Sequence, residues 1–318
     1  MTADAQFSLA TTLLADPDPG SFAKGTALIE EAAKDGHAEA LCMLATMEAI
    51  GAGREQSWKR AFDHLQLAAD RGSRLAQEQL QLLGGSNDPS GLGDSEWASL
   101  RARIDINHLL QVPERIALSD KPRIRVFPGF AKLEECQWVM ARIRGKLGPA
   151  MVWDSLQADK GKIDPSRSNS AAELRLPQMD VVTEILRARI SAATRLPEPI
   201  FEIPQVMHYS VGQEFKPHHD FLDSRQEAHA GDLARRGQRI GTFLIYLNEN
   251  FEGGETEFPK VGISFRANSG DALFFANVTQ DGTPDPLTLH WGKPPTKGEK
   301  WIISQWIRDR VPSVPASS

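Results

Sequence analysis

The spacing of apolar and polar residues divides the chain into a helical first part and a strand-rich second part. Residues 1–84 show helical periodicity, are rich in Ala, Leu, Glu and Gln, and almost lack β-branched runs, so they predict an all-helical segment. From Phe201 onward, short β-type runs dominate: PQVMHYS, RIGTFLIYL, ETEFP, DALFFAN, LTLHW and KWIISQWI. Turn signals such as EGGE, NSGD and KGEK separate these runs. Many short strands with such spacing predict a sandwich or barrel.

The helical segment repeats itself. The stretch AAKDGHAEALCML begins at Ala32 and AADRGSRLAQEQL begins at Ala68, an offset of 36 residues. The matched residues are Ala33 with Ala69, Gly36 with Gly72, Ala40 with Ala76, and Leu44 with Leu80. Small residues let two helices approach closely, and a glycine can end a helix in a left-handed conformation. A period of this length indicates stacked helical hairpins, with a plain helical bundle as the alternative.

A change of composition marks the end of the helical segment. Gly84–Asp94 reads GGSNDPSGLGD, which is typical of a linker. We therefore expect helical repeats at 1–84, a linker at 85–98 and a second domain at 99–318. Helical patterns at Leu133–Ile143 and Asp180–Ala193 precede the strands. The predicted fold class is α+β: an all-helical repeat module followed by a double-stranded β-helix (jelly-roll) domain with supporting helices.

Charge and cysteine content exclude several classes of protein. The formal net charge is -6, which argues against a broad nucleic-acid or anionic-membrane footprint. The two cysteines, Cys42 and Cys136, fall in different predicted domains, so a disulfide framework is excluded and reduced thiols are expected. No apolar run approaches the roughly 20 residues that span a bilayer, and the N-terminus lacks a basic signal-peptide region. We expect a cytoplasmic protein with no nucleic-acid partner and no membrane association.

Three residues have the spacing of a metal site. His218 and Asp220 are two apart in a β-type run, so their side chains share one face of the strand, and His219 points to the other. His290 follows 70 residues after Asp220. Two imidazoles and one carboxylate on one side of a metal leave room for a bidentate co-substrate and O₂, as in non-heme Fe(II) oxygenases. Alone the motif is weak, because His218 also fits a surface residue and His290 a core histidine.

A lysine supports the interpretation of these residues as the metal site of an oxygenase. Lys300 lies ten residues after His290 and opens the run KWIISQWI, which is apolar on both faces and predicts a central strand. An inward-facing lysine there needs an anion to offset its desolvation, and the distal carboxylate of 2-oxoglutarate would supply one. A lysine that extends along the strand to water is the alternative.

These motifs together resemble a known family. From about Arg123 to Arg310 the chain resembles the prolyl 4-hydroxylase family of 2-oxoglutarate dioxygenases, with H-x-D, G-G-E-T-x-F-P, L-H-x-G and K-G-x-K-W in that order. Residues 1–84 resemble Sel1-like repeats, which are relatives of the tetratricopeptide family. The chain departs from the prolyl 4-hydroxylase family at Phe215, where Tyr is frequent in that family. It also departs at Trp291, where smaller residues are common, and the larger side chain would alter the mouth of the substrate pocket.

The resemblance implies a role for each matching residue. His218, Asp220 and His290 would bind Fe(II). Lys300 would pair with the C5 carboxylate of 2-oxoglutarate, and Tyr209 and Thr242 would hydrogen-bond the same carboxylate. Thr288 and Trp306 would line or shape the pocket, the EGGET turn would shape its mouth, and Asp223–Gln238 would form a mobile loop that closes over substrate.

The resemblance also implies a reaction. The enzyme would use Fe(II), 2-oxoglutarate and O₂, with ascorbate as an expected reductant, and would release succinate and CO₂. The substrate would be a prolyl residue in a proline-containing peptide or protein, or a free proline-like cyclic amino acid. Arg167 and the cluster Arg235, Arg236 and Arg239 would contact a substrate carboxylate or lie solvated. The helical repeats would bind a protein partner or self-associate.

Two other interpretations remain open. One is a helical-repeat adaptor with a catalytically inactive jelly roll, although intact His218, Asp220, His290 and Lys300 argue against it. The other is a cupin-type isomerase or a zinc hydrolase on the same fold, which the inward lysine disfavours.

Overall fold

The computed structural model describes residues 1–16, 18–85, 94–153 and 161–312. The chain divides into two compact units. A helical unit contains Met1–Gln111 and Leu174–Arg189, and a sheet unit contains Val112–Glu173 and Ile190–Ser318. No helix among the described residues combines the length and the apolar character needed to cross a bilayer.

The helical unit confirms that the first part of the chain is helical. Its helices are α1 (Ala3–Ala15), α2 (Pro19–Lys34), α3 (Ala38–Ile50), α4 (Trp58–Asp70), α5 (Arg74–Gly84), α6 (Asp94–Arg103) and α7 (Ile106–Leu109). Side-chain oxygens of Asp18, Ser57 and Ser73 accept backbone N–H groups at the starts of α2, α4 and α5. Ile29, Met47, Leu65 and Leu80 are fully buried and form part of the core of this unit.

The helical unit extends beyond residue 84, where the sequence predicts the repeats to end. Helix α6 begins inside the predicted linker, of which residues 86–93 lie outside the described part. Trp97 and Leu100 on α6 are buried, and Arg101 pairs with Asp63 of α4 at 3.0 Å. The Gly/Ser/Asp-rich sequence before α6 predicts a linker, and α6 itself has only a few apolar residues on its buried face. The local sequence therefore did not indicate a helix at this point.

Leu174–Arg189 also belongs to the helical unit. This segment contains most of α9 (Val181–Thr194), which confirms the predicted helix at Asp180–Ala193 within a residue at each end. The Val181 N–H donates to Gln79 Oε1 of α5 at 2.9 Å, and Arg189 Nε donates to the Leu109 carbonyl at 2.9 Å. These polar contacts fasten α9 to both α5 and α7.

The sheet unit is built from antiparallel strands. The strands are β1 (Ile116–Asp120), β2 (Arg123–Phe127), β3 (Gly148–Pro149), β4 (Met151–Trp153), β5 (Gly161–Ile163), β6 (Ser170–Glu173), β7 (Gln205–Tyr209), β8 (Phe215–His218), β9 (Arg239–Tyr246), β10 (Phe251–Gly253), β11 (Thr256–Phe258), β12 (Ile263–Phe265), β13 (Ala272–Ala276), β14 (His290–Gly292), β15 (Pro295–Gly298) and β16 (Lys300–Arg308). The larger sheet has the order β1-β2-β13-β9-β16-β7-β6-β3, and a four-stranded sheet has the order β12-β11-β14-β8. Two pairs, β10-β15 and β4-β5, complete the strands.

The core lies between the two larger sheets. Phe258 of the four-stranded sheet packs in one cluster with Leu273, Phe275 and Ile302 of the eight-stranded sheet. Every residue of β16 is buried, and β16 lies between β9 and β7, which confirms the predicted central strand. Helix α8 has the predicted bounds Leu133–Ile143 and buries Cys136, Val139 and Ile143.

Two segments differ from the predicted elements. The run LTLHW is a strand only from His290 onward, because Pro286–Thr288 forms a 3-10 turn that Asp285 caps. The predicted mobile loop contains helix α10 (Glu227–Arg236), whose Asp232 pairs with the buried Arg308 at 2.8 Å. The polar composition of this segment predicted a loop. The segment is helical because ion pairs, and not buried apolar side chains, attach it to the rest of the unit.

Candidate metal centre

The four-stranded sheet brings His218, Asp220 and His290 together. His218 ends β8 and His290 begins β14, and the two are direct partners across the strands. Asp220 lies two residues beyond the end of β8. One ligand atom from each residue lies within 4.8 Å of the others. His219 points away, as its position predicts, with Nε2 3.2 Å from the Pro286 carbonyl.

Backbone carbonyls fix the tautomer of both histidines. His218 Nδ1 lies 2.7 Å from the Lys216 carbonyl, and His290 Nδ1 lies 3.0 Å from the Thr288 carbonyl. Because a carbonyl oxygen only accepts, each Nδ1 carries a proton and donates it. The Nε2 lone pairs are then free, and these atoms lie 3.6 and 3.7 Å from the two Asp220 carboxylate oxygens. Both rings therefore present the atom that a metal requires.

The charges at this centre favour a cation. Burial lowers the pKa of His290 to about 4, and the nearby His218 adds to this effect. Burial alone would raise the pKa of Asp220, but His290 and His218 hold that pKa well below its usual range. At neutral pH, His290 is uncharged and Asp220 is ionised. Two imidazoles and one carboxylate form the donor set that fits Fe(II), and they are the one such cluster among the described residues.

A cavity connects the metal centre with Lys300. It is lined by Met207, Tyr209, Phe215, His218, Asp220, Leu244, Thr256, His290, Gly292, Lys300, Ile302, Ser304 and Trp306. The metal ligands come from the four-stranded sheet and its edge, whereas Lys300 comes from the eight-stranded sheet. The two sheets thus bring a cation and a metal site to the same cavity, which suits a co-substrate with a metal-chelating end and an anionic end.

Lys300 is a buried ammonium that needs an anion. It is 1% exposed, and Nζ donates to the Gly254 carbonyl at 2.8 Å. Nζ also lies 5.3 Å from the ring centre of Tyr209 and 5.5 Å from that of Tyr246. Burial lowers the pKa of Lys300 to about 7. A carboxylate such as that of 2-oxoglutarate would offset this desolvation, so the cavity fits this co-substrate.

Tyr209 lies beside Lys300, where the sequence predicts it. The two residues are partners across β7 and β16, and Tyr209 is buried. Its hydroxyl donates to Met207 Sδ at 3.5 Å, which is a weak bond. Burial raises the pKa of Tyr209 to about 12, so the hydroxyl stays protonated and remains a donor for an anion.

The Thr242 hydroxyl has a partner other than the predicted carboxylate, and Thr288 is not among the residues that line the cavity, where the sequence predicts it. The Thr242 hydroxyl donates to Asp220 Oδ2 at 2.6 Å, so its proton is committed to the metal ligand and not to a co-substrate carboxylate. The Thr288 hydroxyl donates to the Asp285 carbonyl at 2.7 Å, because the 3-10 turn rotates it out of the strand face shared with His290. Strand periodicity gives the face of a residue but not the partner of its hydroxyl.

Two polar residues that line the cavity, Thr256 and Ser304, received no individual role from the sequence. The Thr256 hydroxyl hydrogen-bonds that of the buried Tyr246 at 2.7 Å, and Ser304 lies on β16 four residues after Lys300. Thr242, Leu244 and Tyr246 alternate along β9, so the period of two would have placed Tyr246 on the cavity face. Burial raises the pKa of Tyr246 well above its usual range, which keeps this hydroxyl protonated.

The two tryptophans singled out in the sequence lie in different places. Trp306 lines the cavity, as its position on the Lys300 face predicts. Trp291 does not line it, since it alternates with His290 and Gly292 and turns to the other side of β14. There its Nε1 donates to Glu214 Oε2 at 2.7 Å. Trp291 is therefore not part of the described cavity wall.

The four arginines proposed for substrate contact separate by their partners. Arg239 makes hydrogen bonds of 2.6 and 2.9 Å to Glu202 and lies 4.3 Å above the Trp306 ring. Arg236 pairs with Asp232, and Arg235 lies on the same helix. Arg167 is 5% exposed and lies 4.9 Å above the Phe215 ring, which stacks on His218 at 3.5 Å.

Arg167 is a buried cation with neutral partners. Within the described part of the chain it donates to Asn169 Oδ1, Gln205 Oε1 and the Met151 carbonyl at 3.2, 2.9 and 3.1 Å. Burial lowers the pKa of Arg167. Its guanidinium thus lies one aromatic ring away from the metal ligand His218 with its charge uncompensated by these three partners.

Comparisons with known proteins agree with this geometry. Residues 204–308 match the family described as the 2OG-Fe(II) oxygenase superfamily. The chain is 34% identical over 217 residues to probable prolyl 4-hydroxylase 6 of Arabidopsis thaliana, covering 62% of this chain and 73% of that protein. It is 32% identical over 214 residues to prolyl 4-hydroxylase 1 of the same plant, covering 63% and 73%.

Solved structures are also similar. A viral collagen prolyl hydroxylase from Paramecium Bursaria Chlorella virus-1, in its 2OG complex, aligns with a TM-score of 0.45 and 25% identity over 60% of this chain and 98% of that one. A Pseudomonas putida prolyl-4-hydroxylase aligns with a TM-score of 0.40 and 16% identity over 64% of this chain and 97% of that one.

Proposed function

This chain belongs to the prolyl 4-hydroxylase family of 2OG-Fe(II) oxygenases, and from that premise we propose that it hydroxylates a prolyl residue within a peptide or protein. The observation that carries the proposal is one cavity that contains His218, Asp220 and His290 together with the buried Lys300. The enzyme is a 2-oxoglutarate-dependent dioxygenase with Fe(II), 2-oxoglutarate and O₂ as cofactor and co-substrates. The identity of its substrate, a prolyl residue within a peptide or protein, is our proposal.

The residues of the cavity have separate tasks. When bound, Fe(II) and 2-oxoglutarate supply the chemistry that uses O₂ to hydroxylate a C–H bond, with succinate and CO₂ as the other products. His218, Asp220 and His290 hold the metal, and the carbonyls of Lys216 and Thr288 keep both imidazoles in the ligating tautomer. Lys300 and the hydroxyl of Tyr209 bind the C5 carboxylate.

The wall of the cavity keeps water from the reacting centre. Its buried apolar lining includes Leu244, Ile302 and Trp306. The ring centres of Phe258 and Phe275 lie 5.9 and 4.7 Å from that of His290. A dry cavity strengthens the attraction between Lys300 and a carboxylate and disfavours side reactions with solvent. We propose that these walls and the two sheets that support them form a double-stranded β-helix.

Arg167 supports a substrate that presents an oxygen acceptor. Its guanidinium is buried one ring away from His218 and has neutral hydrogen-bond partners. A backbone carbonyl beside the target proline of a peptide would accept from it at little desolvation cost. The carboxylate of a free cyclic amino acid is the competing ligand, and the test below separates the two.

The test is succinate release by anaerobically Fe(II)-loaded enzyme after exposure to O₂, with proline-containing peptides, free proline and pipecolate in parallel. We expect proline-containing peptides to stimulate succinate release and to gain one oxygen atom, as measured by mass spectrometry.

The variant Arg167→Gln tests the role of this arginine. We expect it to raise the KM for peptide by about tenfold, which corresponds to the loss of one charge-assisted hydrogen bond, and to leave the KM for 2-oxoglutarate unchanged. Stimulation by free proline or pipecolate but by no peptide would refute the proposed substrate.

We also propose that α2–α5 form two copies of a helical-hairpin repeat of the Sel1-like kind. The same hydrogen bonds recur 36 residues apart: Gly36 N–H to Ala33 O and Gly72 N–H to Ala69 O, both at 3.0 Å, then His37 N–H to Ala32 O at 3.0 Å and Ser73 N–H to Ala68 O at 2.9 Å. Gly36 and Gly72 have φ of 80° and 88°, which favours glycine.

Matched alanine substitutions test the repeat. Gly36→Ala and Gly72→Ala each place a side chain in the left-handed region, so both are expected to cost about 1 kcal/mol of unfolding free energy. A Cβ at Gly36 would lie 2.3 Å from Arg71 Nη1, but this is the end of a flexible, exposed side chain that can move aside, and no atom lies within 4 Å at Gly72, so similar costs are expected at both. Denaturant unfolding measures both. A negligible cost at either glycine would contradict equivalent helix ends.

A further inference from the structure

The Asp220 carboxylate accepts a hydrogen bond from a side chain that is not one of the three metal ligands, that of Thr242. The carboxylate is 4% exposed, and its Oδ2 accepts from the Thr242 hydroxyl at 2.6 Å. Thr242 is 1% exposed in the middle of β9, so water does not compete for this bond. Thr242 is therefore tied to the carboxylate of the metal centre.

A third residue orients the Thr242 hydroxyl. Asn277 Nδ2 lies 3.0 Å from Thr242 Oγ1, and Asn277 is fully buried just beyond the end of β13. Its backbone is fixed as well, because its N–H donates to the Ile240 carbonyl at 2.9 Å and its carbonyl accepts from the Asp285 N–H at 3.0 Å. Asn277 thus has little freedom to turn away from Thr242.

The direction of the hydrogen bonds follows from the donors available. An ionised carboxylate only accepts, so Thr242 must donate its single proton to Asp220. Thr242 Oγ1 then has only lone pairs left, and Asn277 must present its NH₂ group, not its amide oxygen. The chain Asn277 to Thr242 to Asp220 has one consistent direction, in which each bond strengthens the next.

We propose that Thr242 and Asn277 are positioning residues that hold the Asp220 carboxylate in its metal-binding orientation. This inference rests on the proposed function, since it concerns the same metal centre. With Oδ2 occupied by Thr242, the carboxylate cannot rotate freely about its Cβ–Cγ bond. Outer partners of this kind typically change metal affinity by about ten- to a hundredfold when they are removed.

The test measures metal binding without turnover, by titrating the full-length protein with Co(II) under nitrogen and recording the visible absorption of the bound ion. We expect Thr242→Val to weaken Co(II) binding by about ten- to a hundredfold and to change the absorption spectrum. Thr242→Ser retains the hydroxyl and is expected to keep both properties near wild type. Thr46→Val is the control, because Thr46 is a buried threonine in α3 whose hydroxyl bonds to the Cys42 carbonyl.

Asn277→Asp tests the direction of the hydrogen bonds. An aspartate at 277 has no N–H to donate, and it would accept the Thr242 proton in competition with Asp220. We expect this variant to weaken Co(II) binding at least as much as Thr242→Val, and Asn277→Ala to weaken it less. If Thr242→Val does not fold, Asn277→Asp decides the question, because Co(II) affinity equal to that of wild type in this variant would overturn the inference.

Two results would overturn the inference. One is Co(II) affinity in Thr242→Val and Asn277→Asp equal to that of wild type. The other is intact metal affinity in Thr242→Val with weaker 2-oxoglutarate binding, which would make Thr242 a co-substrate ligand. Absence of Co(II) binding in the wild-type protein is a different outcome, since it would contradict the proposed function itself.

Discussion

At the scale of single residues, burial strongly perturbs the lysine that lines the cavity. Lys300 is buried with a carbonyl as its hydrogen-bond partner, and burial lowers its pKa to about 7 from the usual 10.5. Between these two values the unfolded chain holds a proton that the folded chain has released. In the absence of co-substrate, the contribution of Lys300 to the free energy of unfolding therefore rises with pH across this window.

The same pKa predicts how 2-oxoglutarate binding depends on pH. A carboxylate binds the charged ammonium, so above pH 7 binding must draw a proton onto Lys300, and affinity is expected to fall by up to about tenfold per pH unit. The measurement is anaerobic titration of the Mn(II)-loaded protein with 2-oxoglutarate across neutral and alkaline pH.

Lys300→Arg is the control for this prediction. An arginine stays charged throughout the range, so its affinity for 2-oxoglutarate should be independent of pH even if it is lower overall. An affinity of the wild-type protein that does not change between neutral and alkaline pH would show that Lys300 does not carry the co-substrate charge.

Sequence predicted residue types at this scale better than it predicted partners. The H-x-D spacing and the distant His290 placed three ligands that the structure brings within 4.8 Å, and Lys300 lies in the same cavity. Thr242 received a co-substrate role from the family resemblance. Its hydroxyl donates to Asp220 instead, and no local pattern in the sequence shows which residue a strand hydroxyl will meet.

At the scale of elements, the EGGET turn connects the strands to the lysine. Gly253 and Gly254 both have φ of 69°, and the Gly254 carbonyl accepts from Lys300 Nζ. A Cβ at Gly254 would lie 2.9 Å from the Phe251 ring and 3.4 Å from Lys300 Cδ. The glycines are therefore required by the backbone, as the sequence predicts, and one of their carbonyls also positions the cation.

Gly254→Ala tests this role of the turn. The change is expected to cost about 2 to 3 kcal/mol of unfolding free energy, from left-handed backbone strain together with the contact to Phe251. It is also expected to weaken 2-oxoglutarate binding, because the carbonyl that holds Lys300 moves. Denaturant unfolding and 2-oxoglutarate titration provide the two measurements.

Gly262→Ala is the matched control. Gly262 has φ of 67°, but a Cβ there would meet no atom within 4 Å. This variant should show only the backbone cost of about 1 kcal/mol, with unchanged 2-oxoglutarate affinity. Equal effects of the two substitutions would remove the proposed link between the turn and Lys300.

Element predictions succeeded where apolar periodicity was long and failed where polar contacts decide the structure. Helix α8 and strand β16 agree with their patterns because each buries a continuous apolar face. Helix α10 buries no side chain fully, and its ion pair to Arg308 is invisible in the local sequence. The 3-10 turn before His290 likewise depends on Asp285, which caps it.

At the scale of the whole molecule, the chain has two compact units, each with its own apolar core. Leu65 is fully buried in the helical unit, and Leu273 is fully buried in the sheet unit that contains the metal centre. The sequence predicts repeats at 1–84 and a linker at 85–98, whereas the helical unit continues to Gln111 and includes Leu174–Arg189. A segment that returns from far along the chain has no signature in local composition.

Leucine-to-alanine substitutions in the two cores test this division. Each is expected to cost about 2 to 5 kcal/mol in its own unit, because it leaves a cavity. Hydrogen exchange should accelerate in α2–α5 for Leu65→Ala and in β9, β13 and β16 for Leu273→Ala. Fe(II) affinity should fall only in Leu273→Ala. Loss of Fe(II) binding in Leu65→Ala would contradict the separate stability of the two cores.

The most direct test of the whole account is anaerobic binding of Fe(II) and then 2-oxoglutarate to three proteins: wild type, His290→Ala and Lys300→Met. We predict that wild type binds one equivalent of each, with the visible charge-transfer absorption of a 2-oxoglutarate chelate. His290→Ala should lose the iron, whereas Lys300→Met should keep the iron and bind 2-oxoglutarate at least about thirtyfold more weakly. Iron binding that survives in His290→Ala, or 2-oxoglutarate affinity that survives in Lys300→Met, would contradict the assigned site.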